Sequence, residues 1–123
     1  MPPYKNRPFL ARFSFAWAGL RHALGSERSL QTQVSIGAIV VVALLFIRPE
    51  PIWWALVLAA CFSVIAAELF NTALEHLADH LHPDEHPQIG LLKDCAAAAV
   101  LMTVCGAIAV GIALIVHLLG RGF

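Results

Sequence analysis

The sequence predicts an all-α integral membrane protein, with an N-terminal amphipathic helix on the membrane surface followed by three transmembrane helices. Three apolar stretches, within 30–47, 52–79 and 91–119, are long enough for helices to cross the roughly 30 Å of bilayer hydrocarbon. Charged residues make up 13% of the chain against 59% hydrophobic ones, and mean hydropathy is +0.76, which excludes an ordinary soluble domain. The segment before the first span instead mixes apolar and basic residues at helical spacing. At 123 residues there is room for one domain.

Residues 1–8 are basic and Pro-rich and should form a flexible tail; lacking an apolar run, they predict no signal peptide. Over 9–24, Phe9, Phe13, Ala16, Trp17, Leu20 and Leu24 recur at i, i+3, i+4 spacing, with Arg12 and Arg21 towards the edges. That pattern suits a helix lying in the plane of the interface. Gly25-Ser26 should break it, with Ser26 capping the next helix. The first span, 30–47, opens on Gln31, Thr32, Gln33 and Ser35, which are polar enough for the interface. Arg48-Pro49-Glu50-Pro51 reads as a tight turn, and Trp53 and Trp54 anchor the second span, 52–79, at its start. A polar, Pro-punctuated loop, 80–88, leads to the third span, 91–119. There, Ala96-Ala97-Ala98-Ala99 lets a neighbouring helix come close.

Lys5, Arg7, Arg12, Arg21 and Arg28, five of the eight Lys and Arg residues, precede the first span, so the positive-inside rule places the N-terminus in the cytoplasm. Cys61, Cys95 and Cys105 lie singly in apolar surroundings without CxxC spacing, which reads as small packing residues.

The informative stretch is the end of the second span. At about 100° per helical residue, Glu68, Asn71, Glu75 and Asp79 fall within roughly 80° of one another. A carboxylate inside hydrocarbon costs about 2.5–3.5 kcal/mol or more. Such a stripe must be hidden against other helices or matched to a ligand. Asn71 alone could be interhelical glue. Several carboxylates on one face repel and call for cations. Three spans and a surface helix cannot enclose the stripe, so a homo-oligomer is expected.

The topology brings Glu27, this stripe, the acidic and histidine-rich loop, and Lys93-Asp94 to one depth. Glu27 and Glu75 are hard oxygen donors of the kind Mg²⁺ uses together with phosphate oxygens and water. Lys93 is the sole Lys or Arg between Arg48 and Arg121. At a helix start it opposes the dipole, which implies an anionic partner, a carboxylate or a phosphate. Asp94 suits the first turn of a helix on the same grounds. His76 and His80 have i, i+4 spacing, but zinc is not expected without a Cys pair. His82 and His86 read as solvated loop residues, and His117 as interfacial. The chain has no GxxxxGK[ST], GxGxxG, HRD or DFG motif, so any nucleotide would be held by metal and charge at the membrane surface.

Glu68-Leu69-Phe70-Asn71-Thr72-Ala73-Leu74-Glu75, then Asp79, His86 and Lys93-Asp94-Cys95-Ala96-Ala97, resembles the signature of the prokaryotic diacylglycerol kinase family. The resemblance extends from Phe13–Leu20 through Glu27-Arg28-Ser29 into the third span. It implies a homotrimer in a bacterial cell membrane, with the active site cytoplasmic. It also implies phosphorylation of a lipid hydroxyl by ATP with Mg²⁺ as cofactor; nucleic acid is not among the expected partners. Carried over by position, Glu68 resembles the general base and Asn71 the active-site amide. Glu27 and Glu75 resemble the metal-binding carboxylates. Asp79, the loop residues Asp84, Glu85 and His86, and the pair Lys93 and Asp94 resemble nucleotide contacts. Phe15 stands where some members have Tyr, and Pro8 where they have Arg; Arg7 and Arg12 are near enough to substitute for the latter. The family acts on diacylglycerol or undecaprenol, and Glu27-Arg28-Ser29, Asn71-Thr72-Ala73, Glu75-His76 and the His-Pro loop look closer to the undecaprenol branch. The residues exclude neither lipid. The rival readings are a small oligomeric channel or ion carrier and a non-catalytic scaffold. A channel would want polar lining throughout, whereas the outer half of the second span offers only Ser63 and Cys61.

Overall fold

The computed structural model describes residues 7–121, and these form four α-helices with no strand among them. They are α1 (Phe9–Ser26), α2 (Arg28–Ile47), α3 (Pro51–Leu81) and α4 (Pro87–Arg121). The expected tail lies mostly outside the described residues. Three helices are long and apolar enough to cross a membrane, with mean hydropathies of 2.2, 2.1 and 2.7 for α2, α3 and α4.

Their outward faces carry large apolar side chains, including Phe46 at 84% exposure, Ile39 at 69% and Phe62 at 67%. In water that surface would drive aggregation; in hydrocarbon it is the solvated state. Inside, Leu44, Val57 and Leu114 join α2, α3 and α4, with Trp53, Trp54 and Val110 packed around them. Towards the other end Ala23 and Leu30 are buried, closing α1 against the bundle. Between α2 and the α3–α4 pair lies a hollow of about 390 Å³, lined by Gln33 and otherwise by apolar groups such as Val40, Val64, Ala107 and Leu114.

α3 and α4 form an antiparallel hairpin pinned by charge at both ends. Arg121 pairs with Glu50 at 2.7 Å, and Lys93 pairs with Asp79. The two pairs enclose nearly equal lengths of chain, Glu50 to Asp79 and Lys93 to Arg121, so both form in one register. At about 1.5 Å per residue, the 31 residues of α3 span about 46 Å, well beyond one hydrocarbon core. With Pro51 at one boundary, Glu68 lies near the opposite one and the turns after it extend past it.

Three local expectations are revised. α1 runs through Ser26, and the break falls at Glu27, whose φ of −103° and ψ of 112° are extended. Ser26 does not cap α2: its hydroxyl donates to the His22 carbonyl and to Glu27 Oε1, each at 3.2 Å. A helical Ser back-bonding to residue i−4 is satisfied within its own helix. The corner is braced instead by Gln31 Nε2, which donates to the Leu24 carbonyl at 2.9 Å. Finally, the polar loop shrinks to 82–86. α4 begins at Pro87, where a missing N–H costs nothing. His86 Nδ1 accepts the Gln88 N–H at 3.2 Å, and the His86 carbonyl accepts those of Ile89 and Gly90 at 3.0 Å.

Candidate active site

The polar stripe on α3 runs along a gradient of burial. Glu68 is 4% exposed, Asn71 and Glu75 are half-buried, and the Asp79 side chain is 62% exposed. Helical geometry sets the shared face, and the burial follows from the groups opposite each residue. α2 begins across from Glu68, and Ser29 Oγ in its first turn donates to Glu68 Oε2 at 3.0 Å. Thr72, one turn along, is also buried at 7%. Asn71 Nδ2 donates to Glu75 Oε1 at 2.9 Å, while Asn71 Oδ1 is buried with no hydrogen-bond partner among the described residues.

Glu27 sits at the α1–α2 corner with its side chain 25% exposed. Its Oε1 accepts the Ser26 hydroxyl and lies 3.4 Å from His76 Nε2 on α3. His22 of α1 meets the His76 ring edge-on at 6.4 Å between centroids. α1, the corner and α3 thus converge on one acidic side chain.

Beyond Asp79 the chain opens into a cleft of about 630 Å³ between the loop and the first turns of α4. Asp79, Asp84, Glu85, His86 and Lys93 all line it. Lys93 has taken the carboxylate, of the two partners open to it, by pairing with Asp79. Asp94 and Arg12 are exposed and do not line the cleft. Arg7 lies over the Phe15 ring, 5.9 Å from its centroid. Among the described residues no three His, Cys, Asp or Glu side chains converge as a metal cage, and His76 and His80 form no zinc site with a third ligand.

A model of the family described as prokaryotic diacylglycerol kinase matches residues 14–115. The chain belongs to that family. It is 34% identical over 103 residues to a diacylglycerol kinase of Synechocystis, covering 83% of this chain and 59% of that protein. It is 28% identical to the undecaprenol kinase of Bacillus subtilis, with 75% of each chain covered. It is 27% identical to the diacylglycerol kinase of Escherichia coli K12, covering 76% of this chain and 77% of that one.

For this family member the structure brings together Glu68, Asn71 and Glu75 on one face, Glu27 beside that face through His76, and Asp79, Asp84, Glu85, His86 and Lys93 around the cleft. Two participants escaped the sequence reading. Ser29 was visible only as part of a motif, because a serine in a helix's first turn carries no sign of a partner 39 residues away. In sequence His76 has only the i, i+4 spacing to His80 to mark it, whereas its Nε2 turns to Glu27.

Proposed function

We propose that this membrane lipid kinase transfers the γ-phosphate of ATP to the hydroxyl of a membrane lipid, undecaprenol or diacylglycerol, with Glu68 as general base. The observation that carries this reading is the placement of Glu68. It is a buried carboxylate at the edge of hydrocarbon, held by one neutral hydroxyl, and the charged cleft begins three turns away on the same helix face. A general base must lie within hydrogen-bond reach of the hydroxyl proton it takes, and a carboxylate at this depth is within reach of a lipid headgroup. A lipid hydroxyl reaches that depth from the bilayer, and ATP reaches the cleft from water.

Phosphoryl transfer needs positioning and charge neutralisation more than covalent chemistry. Glu68 takes the hydroxyl proton as the lipid oxygen attacks the γ-phosphorus, and ADP leaves. Asn71 Oδ1, buried and without a partner among the described residues, is an acceptor free to take a donor from a substrate. Lys93 supplies positive charge for the phosphates, with Asp79 holding it in place until nucleotide binds. Glu27 and Glu75 fit Mg²⁺: they are hard oxygen donors, one from the α1–α2 corner and one from α3, and each accepts a hydrogen bond at one oxygen, from Ser26 and Asn71 respectively. Mg²⁺ keeps water and phosphate oxygens among its ligands, so a site with two carboxylates and no three-residue cage suits a metal that arrives with nucleotide. Bound with ATP, it would offset the charge that builds on the phosphate oxygens.

The N-terminus and cleft are assigned to the cytoplasmic side because the basic residues cluster there. A trimer, the family's assembly, would cover the faces of α3 that one chain leaves open. Against an ion channel stands the apolar hollow beyond Gln33, which continues no polar path through the bilayer. The deciding experiment reconstitutes the protein in vesicles with diacylglycerol or undecaprenol and follows label from γ-³²P-ATP. Wild type should label one or both lipids, and Glu68→Gln should label neither while still assembling and binding ATP. Full turnover by Glu68→Gln would remove the base assignment, and absence of lipid labelling by wild type would remove the kinase reading.

A further inference from the structure

We infer that Ser29 is a positioning residue for the transfer, presenting the Glu68 carboxylate to the acceptor hydroxyl. This rests on the reading of Glu68 as general base. Ser29 Oγ donates to Glu68 Oε2 at 3.0 Å, bridging the first turn of α2 and the buried face of α3. A glutamate has three rotatable side-chain bonds, and hydrocarbon offers no water to hold its end. A single hydroxyl donor fixes one oxygen and leaves the other for the incoming lipid. The neutrality of that donor matters as well, since a Lys or Arg there would hold the carboxylate in an ion pair and compete with the incoming hydroxyl for it.

The position of Ser29 gives the contact a second consequence. Glu27, two residues earlier, is the proposed metal carboxylate at the α1–α2 corner, and Gln31 Nε2 ties that corner to the Leu24 carbonyl. Leu30, between Ser29 and Gln31, is fully buried and locks the turn against the bundle. One braced turn therefore carries both the carboxylate expected to meet Mg-ATP and the donor that aims the base. The orientation of Glu68 is tied to the nucleotide side of the site through α2, although Glu68 lies on α3 and Glu27 at the α1–α2 corner.

The test compares Ser29→Ala, Ser29→Thr and Glu68→Gln in reconstituted vesicles, measuring kcat and the KM values for ATP and lipid, with assembly and melting temperature as controls. Hydrogen bonds to charged groups are worth enough that losing this one should lower kcat about tenfold or more. KM for ATP and for lipid should stay near the wild-type values, and Ser29→Thr, which keeps the hydroxyl, should restore most of the rate. If Ser29→Ala fails to assemble, the near-isosteric Ser29→Cys, a weaker donor, takes its place with the same expectation. Wild-type kcat in the alanine variant beside an inactive Glu68→Gln would overturn the positioning role and leave the base assignment standing. An active Glu68→Gln would remove both. A loss confined to KM or melting temperature, or one that threonine does not rescue, would mark Ser29 as structural and overturn the inference.

Discussion

Asn71 donates from Nδ2 to Glu75 Oε1 at 2.9 Å, one helical turn away, and leaves its own Oδ1 buried without a partner among the described residues. The amide can point only this way, because reversal would set its oxygen against a carboxylate oxygen. A buried acceptor without a donor costs roughly 1–3 kcal/mol, which a donor from a substrate would offset. Replacing Asn71 with Ala removes that acceptor and frees Glu75. Transfer should fall by about tenfold or more, with assembly preserved, as measured by lipid phosphorylation in vesicles. Unchanged turnover would place the orphaned oxygen outside the reaction.

Glu75 should act on metal dependence rather than on the proton. Glu75→Gln keeps the shape and the Asn71 contact but loses the charge. It should need more Mg²⁺ for half-maximal rate, and excess Mg²⁺ should recover much of the activity. Chelation by EDTA should silence wild type, and added Mg²⁺ should restore it. A Mg²⁺ titration that superimposes on wild type would remove Glu75 from the metal site.

Lys93 and Asp79 test function apart from stability. Their side chains are 34% and 62% exposed, and pairs so open to solvent contribute about 0–1 kcal/mol. Lys93→Met should therefore leave the melting temperature nearly unchanged while raising KM for ATP, because the cleft loses the cation proposed to meet the phosphates. A variant with lowered melting temperature and normal KM would show the pair to be a strut of the α3–α4 hairpin.

Leu44 and Leu45 separate packing from lipid exposure. Leu44 is 1% exposed within the Leu44, Val57 and Leu114 cluster, while neighbouring Leu45 is 58% exposed. Lipid tails are as apolar as leucine, so the transfer part of a truncation largely vanishes in a bilayer and the cavity part remains. Leu44→Ala should shorten the half-life at elevated temperature in detergent, with a cost below the roughly 2–5 kcal/mol typical of water-soluble cores. Leu45→Ala should stay within about 0.5 kcal/mol of wild type. Equal effects would mean that Leu45 also packs, as it could against a second copy.

Much of this protein is legible in its sequence because its solvent is hydrocarbon. Unbroken apolar runs name the three spanning helices, and the limits found, 28–47, 51–81 and 87–121, extend the expected ones by a few residues at most ends. The larger shift, from Leu91 to Pro87, arises because His86 and Pro87 build a helix start out of residues that composition alone marks as loop. The α1–α2 corner lies one or two residues later than expected: Ser26 stays in α1 and donates to the His22 carbonyl and to Glu27, contacts that only coordinates reveal.

The stripe of Glu68, Asn71, Glu75 and Asp79 was determined by sequence alone, since residues three and four apart share a helix face whatever the rest of the chain does. Partners across helices were decided by tertiary structure. Ser29 with Glu68, His76 with Glu27, and Lys93 with Asp79 depend on how far one helix slides and turns against the next. Such registers are set by buried side chains such as Leu30, Leu44 and Leu114, whose apolar character a sequence displays but whose depth of contact it does not. Local periodicity follows from backbone geometry, and long-range pairing from packing. That division is why the acidic face could be read beforehand and the hydroxyl holding Glu68 could not.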